Sequence, residues 1–189
     1  MDNSIVIKKY KNSVTRKYIS VSNDEIDTIK KGDYWFSKKI DGQLWFYCKT
    51  TKNSKIINSN ENDISNLVKD IKKDLDKKLS KSKNIILAGE LYFLTKDRER
   101  YGDTISALGD NSKKKNLRLG IFDVVVSDKF LSNFEKKYNF LKKTLGKNLK
   151  DFSHVFEHKK IKQKEINKLF KEIVIKNNAE GLIIKNDNV

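Results

Sequence analysis

The sequence has no proline, eight glycines in 189 residues, and a single cysteine, Cys48. One cysteine cannot close an internal disulfide or build a cysteine zinc cluster, so the fold must rest on its apolar core. A reducing compartment, the cytoplasm, is the default for such a chain. Proline- and glycine-rich linkers, internal repeats and low-complexity blocks are all missing. No apolar run approaches the roughly 18 residues of a membrane-spanning helix, so no membrane partner is expected. The opening residues lack the basic-then-apolar layout of a signal peptide. Arginine is scarce as well: Arg16, Arg98, Arg100 and Arg118 are the only four.

Lysine is what remains in quantity. Lysine and arginine total 41 against 25 acidic residues, a formal net charge of +16. That balance suits a polyanion such as nucleic acid. It also suits AT-rich coding, which drifts toward lysine and asparagine, so charge alone does not assign a function. Ten phenylalanines, seven tyrosines and two tryptophans supply a core. A chain of this length buries about 70% of its unfolded surface.

Apolar residues recur with a 3.6-residue period over 61–80, 131–146 and 162–175, predicting helices, with a shorter one over Thr104 to Leu108. Short β-branched and aromatic runs predict strands at Tyr34–Phe36, Leu44–Cys48, Ile85–Phe93, Leu119–Val126, His154–Phe156 and Leu182–Lys185. Asp41-Gly42 between the first two reads as a hairpin turn. Residues 1–30 read as a polar preface of two short strands and a helix. The expected class is α+β, a mainly antiparallel sheet flanked by helices.

Four segments carry chemistry. Lys39-Ile40-Asp41-Gly42 is a lysine two residues before a tight turn. Glu90 interrupts the apolar strand Ile86–Phe93, and Phe122-Asp123 lies within another. Glu180 opens, and Lys185 closes, the strand after Ala179. Each alone is compatible with a solvated strand end. In this order, Lys-Ile-Asp-Gly, Gly-Glu-Leu, Phe-Asp-Val and Glu-Gly-Leu-Ile-Ile-Lys resemble motifs I, III, IIIa and IV of the covalent nucleotidyltransferases, the ATP-dependent DNA ligases, RNA ligases and capping enzymes. The resemblance spans about residues 34–186.

It implies an ATP-grasp-like adenylation domain over 31–189, with 1–30 as its preface. Lys39 is the implied nucleophile, attacking the α-phosphate of ATP to give lysyl-AMP and pyrophosphate. Lys38, Asp41 and Gly42 accompany it at the nucleotide. Glu90 is the implied ribose ligand, Phe122 the base-stacking ring, Lys185 a phosphate contact and Glu180 the carboxylate for Mg²⁺ or Mn²⁺. A lysine amine, with a usual pKa of about 10.4, attacks only when deprotonated, and cations or burial favour that form. Arg98 and Arg100 are candidate phosphate or nucleic-acid contacts.

The chain departs from the DNA ligase pattern in places. Leu44 and Lys49–Thr50 stand where arginines are usual, and Ser37 where an acidic residue is common. Some RNA ligases also lack the first arginine. The sequence stops at Val189, before a motif V strand and its two lysines, and before an OB-fold domain, so weak self-adenylation is expected of it. The expected partner is nicked DNA or RNA, DNA slightly favoured, sealed by a monomer. RNA ligation, guanylyl transfer and a non-catalytic basic nucleic-acid-binding domain remain open. His154 and His158 are expected at the surface or at strand ends, and Cys48 in the core.

Overall fold

The computed structural model describes residues 3–14, 19–129 and 131–186. Two sheets divide the strands. β2 (Gln43–Lys49), β3 (Ser54–Ile57), β4 (Ile85–Phe93), β5 (Leu117–Ser127) and β6 (Ser153–Val155) form a five-stranded sheet in the order β3-β2-β4-β5-β6. Its pairs are antiparallel except β5–β6. β1 (Asp33–Lys39), β7 (Lys159–Lys162) and β8 (Gly181–Lys185) form an antiparallel sheet in the order β7-β1-β8. The class is therefore α+β and mainly antiparallel, as the sequence predicts.

The five-stranded sheet is apolar on both faces. One face, with Tyr47, Leu87, Leu91, Leu119 and Ile121, packs on α2 (Lys69–Lys78) and α4 (Phe134–Leu145) through Ile71, Leu75, Tyr138 and Leu141. The other, with Phe46, Cys48, Ile86 and Ala88, receives Ile7 and Tyr10 of α1 (Asn3–Ser13). The small sheet has its own cluster: Phe36 and Ile161 meet Ile26 and Ile166, the latter on α5 (Ile166–Phe170).

Several expectations give way. The predicted helix over 61–80 forms only as α2. Upstream, the Asn58 side chain accepts from the Asn60 and Asn62 amides, the Asp63 side chain accepts from the Ser65 amide, and Glu61 has φ +65°. Short polar side chains here offer the backbone turns instead of a helix. The described part of 1–30 holds α1 and a 3₁₀ turn, Asn23–Thr28, rather than two strands. Ile7 and Tyr10, three apart, make one helical face for the sheet. Residues 15–18 of that preface lie outside the described residues. The helix over 162–175 is a 3₁₀ turn, then α5, then a π-helix, Lys171–Lys176. Most consequential, Asp41-Gly42 is no hairpin: β1 and β2 belong to different sheets, and Ile40–Gly42 carries the chain from one to the other.

Candidate nucleotide site

That crossing creates the site. Alternate side chains of a strand face opposite ways. The β1–β8 register pairs Trp35 with Lys185, Ser37 with Ile183 and Lys39 with Gly181, so these six share one face. Phe36, Lys38, Leu182 and Ile184 share the other, and Phe36, Leu182 and Ile184 pack on the small core. A cavity of about 190 Å³ opens where the first face looks toward the five-stranded sheet. Ser37, Ile183 and Lys185 supply one wall, Leu44, Glu90 and Phe122 another, and Lys38, Ile40, Phe156 and His158 complete the lining. It is smaller than the roughly 300–1,000 Å³ of a cleft enclosing a drug-sized ligand, and suits a planar ring system whose attached groups reach outward.

The Lys39 ammonium ion-pairs with Glu180, which stands one residue before β8. Oε2 of Glu180 is buried without a hydrogen-bond partner among the described residues. Glu90 sits close enough to feel Lys39, Glu180 and Asp41. Burial pushes its carboxyl up to about 7. Glu180 and Asp41 add to that rise, while Lys39 and the Gly42 backbone N–H oppose it. Gly42 has to be glycine: a Cβ there would lie 2.4 Å from the Leu91 carbonyl oxygen and 2.8 Å from Glu90 Cγ. Gly120 meets a similar demand, since its Cβ would lie 2.1 Å from the Phe156 ring.

Lys185 is buried, its Nζ 3.9 Å from the centre of the Phe134 ring. Burial, with Lys137 nearby, brings its pKa down to about 8 against the pull of Asp123. Asp123 itself accepts from Tyr10 Oη at 2.8 Å and pairs with Lys137 at 3.1 Å. Lys38 lines the cavity but binds Glu99 at 2.7 Å.

The structure thus brings Lys38, Glu90, Phe122 and Lys185 to one cavity, with Lys39, Asp41, Gly42 and Glu180 at its Glu90 side. Arg98 and Arg100 fall in the loop between β4 and α3 (Tyr101–Gly109). That loop meets the site through Glu99 and Lys38. Arg98 Nε is buried without a partner among the described residues, and Arg100 offers α3 its carbonyl. Of the surface or strand-end placements expected for the histidines, the surface is wrong: both are buried, His154 within β6 against Tyr92 Oη at 3.1 Å and His158 directly before β7 in the cavity wall. Cys48 is a buried free thiol, pushed up to about 12 by burial. Sequence reasoning missed Phe156 and His158. The alternation of Phe156 and His158 after a buried strand, in a chain with two histidines, was the available signal.

Among the described residues no three metal-ligating side chains cluster, and no helix is long and apolar enough to cross a membrane. No curated protein matches the chain by sequence. Solved structures do match. A protein named Pmar-Lig_Pre is 15% identical with a TM-score of 0.69, covering 96% of this chain and 47% of that one. A mycobacterial DNA ligase D complexed with ATP and MES is 14% identical with a TM-score of 0.63, covering 83% and 49%. The ATP-dependent DNA ligase of bacteriophage T7, in complex with ATP, is 15% identical with a TM-score of 0.56, covering 89% and 60%. The chain spans about half the length of the first two. At such identities the likeness establishes the fold. The sequence signature of the ATP-dependent DNA ligase domain covers residues 16–189, nearly the whole chain. With the motif lysine, both glutamates and the phenylalanine gathered by that fold, the chain belongs to the ATP-dependent DNA ligase domain family.

Proposed function

We propose that this chain is the adenylation domain of an ATP-dependent DNA ligase, with residues 1–30 part of the same domain. The observation that supports it best is the β1–β8 register, which sets Lys39 on the cavity face beside Glu180 and Glu90. In this reading the adenine enters the cavity against Phe122, whose ring offers flat apolar area. Glu90 receives the ribose. The Lys39 ammonium gives up a proton to Glu180 or solvent, the freed amine attacks the α-phosphate, a P–N bond forms as the α–β P–O bond breaks, and pyrophosphate leaves. Lys185 and Lys38 offset phosphate charge. Glu180 holds the Lys39 ammonium before the reaction and so keeps the attacking nitrogen at the Glu90 side of the cavity.

A divalent cation fits at Glu180. Magnesium is commonly held by one or two carboxylates plus substrate phosphates, and Glu180 Oε2 is a buried oxygen without a hydrogen-bond partner among the described residues. Bound Mg²⁺ or Mn²⁺ would neutralise charge at the phosphates.

AMP then passes from Lys39 to a 5′-phosphate at a nick, and a 3′-hydroxyl displaces it. The family favours DNA over RNA, and the +16 charge suits either. We assign the protein a cytoplasmic, monomeric role. The test is incubation with ATP or GTP and Mg²⁺, followed by peptide mass spectrometry. A weak AMP adduct on Lys39 is the expected result, strengthened in a longer chain that adds the motif V lysines. No adduct in either, or one on Lys38, overturns the reading.

A further inference from the structure

One polar group of the cavity has no part in nucleotidyl transfer. His158 follows β6 and lines the cavity with Phe122, Phe156 and Ile183, and it is only 4% exposed. Its ring is fixed by neighbours. Phe134 and Tyr138 meet it edge-to-face at centroid distances of 5.0 and 5.2 Å, and Nδ1 lies 2.9 Å from the Phe156 carbonyl oxygen. A carbonyl oxygen only accepts, so Nδ1 carries the proton. Burial, reinforced by the Lys185 ammonium, holds the imidazole down to about 3, so the ring is neutral. Nε2 is then a bare acceptor, and it is buried without a partner among the described residues. The nearby Lys185 Nζ rests over the Phe134 ring instead. An unpaired buried acceptor is costly, and in a ligand cavity that cost is relieved by a ligand that donates.

We propose that His158 selects the base: its Nε2 accepts a hydrogen bond from the exocyclic 6-amino group of adenine seated against Phe122. The inference rests on reading the cavity as the nucleotide site. Adenine presents a donor at C6, whereas guanine presents a carbonyl oxygen, which would face acceptor with acceptor. A site built around one matched hydrogen bond rejects a base that leaves its acceptor empty. The difference expected from a single neutral bond is roughly 10- to 100-fold.

The experiment compares wild type, His158→Leu and His158→Gln with three probes: ATP, GTP and the triphosphate of purine riboside, which lacks the 6-amino group. Calorimetry reads binding, and mass spectrometry reads the Lys39 adduct. Wild type is expected to bind ATP roughly 10- to 100-fold more tightly than the other two. His158→Leu should bring the three within a few-fold by losing ATP affinity. His158→Gln, which keeps an acceptor, should recover part of the preference. A merely structural histidine would weaken all three probes alike. If His158→Leu does not fold, the wild-type ratio of ATP to purine riboside triphosphate decides the matter alone. Equal binding of those two by wild type, or an ATP preference that survives His158→Leu, overturns the inference while leaving nucleotidyl transfer standing. Failure to bind any nucleotide overturns the proposed function and the base assignment together.

Discussion

The five-stranded sheet is the more deeply buried: its central strand β4 exposes only Glu90 and Phe93, and those only partly. In the three-stranded sheet, β8 is partly exposed at every residue before Lys185, and β7 buries only Ile161. The first sheet carries Glu90 and Phe122, the residues assigned to sugar and base. The second carries Lys39 and Lys185, with Glu180 at its edge, the groups assigned to the phosphates. A platform for recognition tolerates full burial because it need not move. A nucleophile that must part from Glu180, reach phosphorus and carry away a nucleotide needs a strand with solvent beside it. The lighter packing of the small sheet is therefore consistent with its chemistry and predicts a lower local stability.

The strongest way to break this division is at Lys39. Lys39→Ala and Lys39→Arg should both abolish the AMP adduct, the second because guanidinium stays protonated, while circular dichroism stays unchanged. An adduct of normal yield on either variant ends the assignment of chemistry to the small sheet. Core truncation comes next. Leu87→Ala, at a fully buried position of β4, should cost about 2–5 kcal/mol in urea unfolding. Ile161→Ala on β7 should cost less, because that cluster is smaller and partly open. Equal losses would erase the contrast. Hydrogen exchange sharpens it: the Ile183 and Ile184 amides should exchange well before those of Leu87 and Ala88.

The smallest effect concerns Glu90. Its carboxyl titrates near 7 when folded against an ordinary value of 4.5. The unfolded chain therefore releases this proton first as pH rises, and wild type loses stability between about pH 4.5 and 7. Glu90→Gln should be more stable than wild type at pH 8, by on the order of 1–3 kcal/mol, and show no gain at pH 4. The same variant should bind ATP more weakly. A gain that does not depend on pH would mean that packing, not charge burial, limits stability at this position.

The long apolar strands and the α4 periodicity were legible because one sheet face and one helix stripe each write a clean pattern. The candidate site was suggested by four motif segments, not by any single one. What was hidden has physical causes. β3 is four residues, and β7 reads Lys-Lys-Ile-Lys, so each buries too little to leave an alternation. Residues 61–68 look helical by spacing, but side-chain turns at Asn58 and Asp63 take the backbone elsewhere. Asp41-Gly42 looked like a hairpin because turn chemistry is local, whereas the choice of sheet depends on partners more than a hundred residues away. The His158 acceptor was invisible for a similar reason: its meaning depends on Phe156 bending back over Gly120.

Among the described residues β1 pairs with β7 and β8, and Lys39 stands 141 residues from Glu180. On a ribosome this separation becomes time. At about 5–20 residues per second, the strand bearing the nucleophile emerges roughly 7–30 s before the carboxylate that will hold it. During that interval β2, β3, β4 and β5 can associate, since each finds its neighbour within the nascent chain. β1 cannot: its Trp35 and Phe36 wait with both strand edges unpaired, which is where a chaperone or a misplaced strand would bind. Lys39 is therefore made well before the strand that completes its surroundings, so a ribosome that stalls before residue 181 would release a protein with the five-stranded sheet formed and the assigned nucleophile unplaced.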